Sequence, residues 1–333
     1  MTRGGACRAS AWAAGILWPA LLAPANPAAS ADGYPVRPIR LIVPFPPGGG
    51  NDLVGRVTAR HLGDQLGQQV VVDNRGGAGG VIGAELAARA LPDGYTLLLG
   101  GTASLSINPG LGKKLPYDAV TDFVAVVLVG TTPNLVVTHP SLPVTGIRDL
   151  IALAKARPGR LNFSSAGIGT TPHLAGALFN AMAGVELVHV PYKGSGPAIT
   201  DLLAGQVKIN FSSIAGSLPF VREGRLRGLA VTGPGRSGVV PEIPTVSESG
   251  LPGYEVGNWY GILAPATTPG SIVARINGAT NRALTAVDLR KRFLELAADP
   301  LGGTPEQFAA YTRSERVKWA RAIQAADIRA GTP

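Results

Sequence analysis

The chain has one cysteine, Cys7, in 333 residues. A lone cysteine cannot form an internal disulfide or a thiolate metal centre, so stability must come from an apolar core of respectable size. Only four histidines occur, His61, His139, His173 and His189, and their separations match no metal-ligand spacing. Charged residues make up only 15% and aromatics 6%. Basic side chains stand singly or in small groups such as Arg222, Arg225, Arg227 and Arg290, Lys291, Arg292, without interleaved aromatics. That pattern describes a solvated surface, and nucleic-acid binding is not expected. Nucleotide motifs are missing as well: no Gly-Lys-Ser/Thr occurs, and Gly77-x-Gly79 is followed by Ile82 where a dinucleotide fingerprint needs glycine. No serine has the flanking glycines of a nucleophile elbow.

What the chain has instead is an ordinary apolar content, 45%, with 45 glycines and 28 prolines. The apolar fraction excludes disorder, and the length favours two domains over one. Residues 1–31 read as a cleavable leader. Arg3 and Arg8 form its basic start, residues 11–25 (AWAAGILWPALLAPA) its apolar run, and Ala29-Ser30-Ala31 an A-x-A cleavage site before Asp32. The run is too short, and too interrupted by Pro19, Pro24 and Pro27, to anchor in a bilayer. Removing the leader takes away Arg3 and Arg8 and lowers the net charge from +9 to +7.

Beyond the leader one grammar repeats. Residues 40–45 (RLIVPF) read as a buried strand, 46–50 (PPGGG) as a turn, and Asn51 and Asp52 as N-caps of a helix with apolar Leu53, Val54, Val57, Leu62 and Leu66. Strand 69–72, turn 74–80 (NRGGAGG), helix 81–90 and strand 95–99 follow. Such alternation predicts α/β domains on largely parallel sheets. Two β-rich runs, 124–129 and 135–137, flank Thr131-Thr-Pro-Asn134 with no helix between, which marks the chain leaving one domain for another. The grammar then resumes with helix 147–156, strand 161–163, loop 164–171, helix 172–182, strand 186–190, loop 191–196, helix 197–203 and strands 207–211 and 226–231. A long connection, 234–254, with a short helix near Val246, leads to strand 259–264 and to helices 271–286, 288–296 and 305–328. The strand LNFSS at 161–165 is echoed by INFSS at 209–213.

Three Gly-rich loops between a strand and a helix, 45–52, 164–171 (SSAGIGTT) and 194–196 before Pro197, can expose unpaired backbone N–H groups to a shared crevice. With the helix dipole they make an anion site that needs no charged side chain. His173 stands in the first turn after the second loop and is a candidate for that crevice. His61 reads as a surface residue, His189 as a core residue, and Trp259, Tyr260 and Trp319 as packing residues.

The segments PIRLIVPFPPGGGND (38–52), NRGGAGG (74–80), PDGY (92–95), HVPYKG (189–194) and LAVT (229–232) closely resemble the Bug-type extracytoplasmic solute receptors, the binding proteins of tripartite tricarboxylate transporters. IPT (243–245), LPG (251–253) and WYG (259–261) extend the likeness over nearly all the chain after the leader. The resemblance implies an α/β, type II periplasmic-binding-protein fold: two α/β lobes, hinge crossovers and a ligand cleft that closes on a small carboxylate. The lobes would comprise 32–130 with 253–333, and 131–252. It implies a periplasmic, monomeric receptor delivering its ligand to membrane permease subunits, with no catalytic residue, metal or cofactor; an exported enzyme or a sensory subunit are the alternatives. The implied pocket is Phe45, Pro47, Gly48, Gly49 and Asp52, then Thr102 and Ser104, then Ser165, Gly167, Gly169, Thr170, Thr171 and His173, closed by Tyr192 and Ser195. Asp52 is expected to order its loop, since like charges repel in a closed cleft. Gly76 stands where relatives often carry proline, which affects loop stiffness and not the pocket.

Overall fold

The computed structural model describes residues 33–112, 114–326 and 328, together with Met1, Thr2 and Gly4. The apolar run and cleavage site expected of the leader lie outside the described residues. None of the described helices is long and apolar enough to cross a membrane.

The chain begins with β1 (Ile39–Val43), α1 (Gly50–Leu66), β2 (Val70–Asn74), α2 (Val81–Ala88) and β3 (Thr96–Gly101). A five-residue π-helix (Ala103–Ile107) and the single turn α3 (Asn108–Gly110) lead to the long strand β4 (Phe123–Thr138). Next come α4 (Ile147–Ala156), β5 (Leu161–Ser165), α5 (Thr171–Ala183), β6 (Leu187–Pro191), α6 (Ser195–Leu203), β7 (Ile209–Ser213), α7 (Ile214–Arg222) and β8 (Arg227–Val231). The chain returns through β9 (Gly257–Pro265) to α8 (Gly270–Thr285), α9 (Val287–Glu295), the short β10 (Asp299–Pro300) and α10 (Pro305–Ala325).

Among the described residues the strands form one sheet with the path β2-β1-β3-β9-β4-β7-β5-β6, and β8 and β10 both pair with β4. Each wing is parallel, as the alternating strands and helices predict: β1 runs with β2 and β3, and β5 with β6 and β7. The centre is antiparallel, which that alternation did not indicate. β9 lies between β3 and β4, antiparallel to both.

The expected break between two β-rich runs is absent, and residues 123–138 form one strand that changes partners midway. Phe123 to Pro133 pair with β9, whereas Asn134 to Thr138 pair with β7. Pro133 sits at the changeover, where a missing N–H interrupts neither run of ladder bonds. The echo segments LNFSS and INFSS prove to be adjacent parallel strands, tied by Asn210 Nδ2 donating to Ser164 Oγ at 2.7 Å.

Four further expectations change locally. Gly49, not Asn51 or Asp52, is the N-cap of α1. No helix forms near Val246; Thr245 there makes an isolated bridge to Val231. Helix α7 was not anticipated, because Gly216 and Pro219 interrupt its pattern. His61 is buried rather than on the surface, with Nε2 2.7 Å from Asp288 across to α9. The start of α10 is as expected, with Thr304 and Gln307 closing a capping box across Pro305.

One core joins α1, α8 and α9 to β1, β3 and β9 through residues such as Leu41, Leu62, Leu99, Ile262 and Ile276. Another joins α4 and α5 to β5 and β7 through Leu150, Phe163, Phe179 and Phe211. Helix α10 spans both wings, with Phe308 packed beside Trp259 and Leu263, and Trp319 and Ile323 in the core of α5. Gly261 in β9 lets the end of the Phe308 ring reach the sheet, because a Cβ there would overlap that ring. Gly261→Ala is therefore expected to destabilise the fold by about 1–3 kcal/mol through overpacking. A thermal unfolding curve should show a melting temperature lower by several degrees, and an unchanged one would contradict this packing account.

Candidate functional site

The site is built where strands stop and helices start. Four helices begin with their N-caps on one cavity: Gly49 for α1, Thr170 for α5, Gly194 for α6 and Ser213 for α7. None of the four makes a side-chain cap hydrogen bond, so their first-turn N–H groups have no side-chain acceptor at the cap. The loop before α1 turns through Gly48 at φ +86°, and α6 starts from Gly194 at φ +125°, conformations that a residue with a Cβ adopts only with strain. Glycine is needed at both positions for the chain to turn from strand into helix with its N–H groups facing inward.

The floor comes from the two central strands. Asn134 is fully buried; its Oδ1 accepts a hydrogen bond from Asn258 Nδ2 at 2.9 Å, linking β4 to β9. Its own Nδ2 has no partner among the described residues, nor have the hydroxyls of Thr171 and Ser213, and all three residues line the cavity. Thr132 and Tyr260 share a hydroxyl–hydroxyl bond at 3.0 Å beneath them. Burial pushes the Tyr260 phenol up to about 12, partly offset by that bond, so it remains neutral and able to donate. Thr102 Oγ1 accepts the Trp259 N–H at 2.9 Å, fixing the end of β3 against β9. No Asp, Glu, Lys, Arg or His is among the described lining residues. The surface is therefore rich in neutral donors and poor in anions, which suits a small acceptor-bearing anion.

Of the pocket residues drawn from the resemblance, Phe45, Gly49, Thr102, Thr170, Thr171 and Ser195 meet on this cavity. The rest lie outside its lining. Pro47 and Gly48 sit on the turn behind it, where Pro46 takes the lining position. Asp52 is buried beneath the turn and accepts from the Gly48 N–H (2.9 Å) and Asn74 Nδ2 (3.0 Å), with Arg56 Nε at 2.9 Å. Burial alone would raise its pKa, but the bonds from Arg56, Gly48 and Asn74 outweigh it and hold the carboxylate below its ordinary value. It orders the loop from behind, as its charge requires.

Ser104 is part of the π-helix, its carbonyl accepting from the Tyr117 hydroxyl. Tyr192 turns its hydroxyl to Asp201 at 2.7 Å. Ser165, Gly167, Gly169 and His173 form the back of the second loop, away from the cavity. Sequence reasoning missed Asn134, Ser213, Asn258 and the wall formed by Trp259 and Tyr260. Asn134 did leave a signal, a polar residue directly before the apolar run LVV. Ser213 left another in the INFSS echo.

The family described as tripartite tricarboxylate transporter family receptor matches residues 54–328. Protein BugT of Bordetella pertussis is 41% identical over 296 residues, which is 89% of this chain and 91% of BugT. A protein from the tcbD-tcbE intergenic region of Pseudomonas sp. strain P51 is 43% identical over 293 residues, 88% of this chain and 87% of its own. Among solved structures, R. palustris Rpa4515 with adipate superposes with a TM-score of 0.86 at 36% identity, over 89% of this chain and 99% of that one. MatC from Rhodopseudomonas palustris with bound malate gives 0.82 at 33% identity, over 87% and 100%.

Across the cavity mouth the two wings touch. A Cβ on Gly79 would stand 2.7 Å from the Ile168 carbonyl oxygen, and one on Gly194 would stand 3.2 Å from Pro46. Gly79 also has φ +67°, so an alanine there carries a strain of about 1–2 kcal/mol besides the clash. Gly79→Ala is expected to hold the wings further apart. Small-angle scattering should then give a larger radius of gyration than for the unsubstituted protein, and an equal radius would count against this contact.

Proposed function

Because the chain belongs to the tripartite tricarboxylate transporter receptor family, we propose that this periplasmic solute receptor captures a small carboxylate between its lobes and hands it to a membrane permease of the same transporter type. The observation that carries the reading is the convergence of four helix N-termini, uncapped by side chains, on a cavity whose described lining has no ionised side chain. A carboxylate there meets peptide N–H groups and the free donors of Asn134, Thr171 and Ser213. Relatives support the same chemistry, since similar structures carry adipate and malate.

Capture is by hinge closure. On this reading the lobes exchange where β4 changes partner, at Pro133 and Asn134 outward, and where β9 begins, at Val256 and Gly257 on return, a few residues beyond the 130 and 252 expected from sequence. The expected cleavage of the leader before Asp32 would release the receptor into the periplasm as a monomer. Family and structural neighbours are binding proteins, and the ligand leaves unchanged.

Calorimetric titration with a panel of di- and tricarboxylates that includes adipate and malate tests the reading. At least one acid should bind and raise the melting temperature, by about 2.7 kcal/mol of added stability at a hundredfold excess over Kd. The reading fails if none binds and none stabilises. Asn134→Asp sets a carboxylate in place of the amide at the floor, and should weaken binding about a hundredfold or more, because like-charge juxtaposition costs several kcal/mol. Undiminished affinity in that variant would remove Asn134 from the ligand site.

A further inference from the structure

The five-residue π-helix after β3 ends on a side chain that the anion site does not use. Asn108 is fully buried and is not among the described residues that line the cavity. Turns of this kind are rare and frequently mark functional sites. Here the wider turn lets the Asn108 N–H reach the Ala103 carbonyl, and the side-chain amide turns back to the same oxygen, Nδ2 donating at 2.9 Å. Nδ2 also reaches the carbonyl oxygens of Gly79 at 3.0 Å and Gly169 at 3.4 Å. Gly79 lies on the loop between β2 and α2, and Gly169 on the loop between β5 and α5, so one amide meets a glycine loop of each wing.

We propose that Asn108 is the latch of the cleft mouth: a positioning residue that ties the glycine loop of one wing to that of the other, and whose hydrogen bonds are complete only while the wings are together. The proposal rests on the reading of the cleft as a carboxylate site that closes by a hinge.

Three carbonyl oxygens around one side chain call for a donor, and an amide supplies two N–H groups without adding charge. A carboxylate in its place would repel all three carbonyls, and an apolar side chain would leave them bare. Both loops make room for the amide. Gly79 has φ +67° and Gly169 φ +80°. A Cβ on Gly169 would stand 2.4 Å from Asn108 Oδ1, and one on Gly79 would stand 3.2 Å from Nδ2. The π-helix is anchored toward both wings, Leu105 in the core that holds Trp259 and Leu263, and Ile107 in the core that holds Phe163 and Phe179. Whichever wing it follows when the two separate, Asn108 leaves the carbonyl of the other. The latch also limits its own strength. Asn108 Oδ1 is buried with no partner among the described residues, a cost that water removes once the mouth opens, so the shut state is not held too tightly for release.

Asn108→Leu keeps the bulk of the side chain without its donor, and a cycle of Asn108→Ala, Gly169→Ala and the double variant measures the contact across the mouth. Circular dichroism first shows that each is folded. Dissociation and association rates of adipate and malate are then measured by stopped flow, affinities by calorimetry, and the radius of gyration of ligand-free protein by small-angle scattering. Asn108→Leu is expected to release the bound acid about tenfold faster, the worth of one buried hydrogen bond, with an association rate changed less than about threefold, because the latch forms after encounter. Ligand-free, it should have the larger radius. The affinity lost through Gly169→Ala should be smaller by about threefold or more in the Asn108→Ala background, because the backbone strain is common to both backgrounds and only the clash with the amide is removed. A residue that merely holds the π-helix through Ala103 gives independent losses in the cycle and equal radii, and that result would overturn the proposal. If the unsubstituted protein bound neither acid, the carboxylate reading would fall, and the ligand-free radii would decide the latch by themselves, equal values overturning it.

Discussion

The antiparallel pairing of β4 with β9 is the constraint on which the rest of the molecule depends. Sixteen residues of β4 run unbroken from one wing of the sheet to the other, and β9 brings the chain back beside it. Both wings hang on this pair, and the hydrogen bond between Asn258 and Asn134 joins its two strands where the partners change. The same two strands supply the floor of the cleft, so under the proposed hinge closure a ligand would touch the strands that deform.

Electrostatics explain why so little side-chain charge is needed around the cleft. Each helix N-terminus acts as roughly half an elementary charge, so four of them amount to about +2, comparable to two cationic side chains. Arginine would supply that charge at a cost in side-chain entropy and desolvation, and would persist as a buried cation in the empty cleft. Peptide N–H groups are already ordered by the helices they open. Asp52, close by, is turned away behind its loop and held by Arg56, the Gly48 N–H and Asn74. The Tyr260 phenol and the Asn134 amide donate without adding charge.

Much of this was legible in the sequence, and the parts that were not have a common cause. The loops 45–52, 164–171 and 194–196 announce themselves, because only glycine and small polar residues permit a strand to turn directly into a helix. Each indeed ends at the cavity, through Gly49, Thr170 and Gly194. The fourth helix start, at Ser213, was hidden because Gly216 and Pro219 obscure the pattern of α7. Within a recognised loop, sequence did not indicate which residues face the ligand and which support it. Ser165, Gly167, Gly169 and His173 share a segment with Thr170 and Thr171, yet they turn toward His189 rather than the cavity.

By itself the sequence determined the alternation of strands and helices, the places where backbone N–H groups would be left unpaired, and the scarcity of charge that makes those groups the natural anion ligands. These are local properties, set by propensity, periodicity and the φ freedom of glycine, and they are written within a few residues of where they act. Tertiary structure alone decided that four such helix starts share one cavity and that β4 is continuous through Pro133. It also decided that Asn134 and Asn258, far apart in the chain, meet at its floor. Those facts depend on which strands pair across the centre of the sheet. That choice is set by the burial of both wings together, and no short stretch of sequence records it.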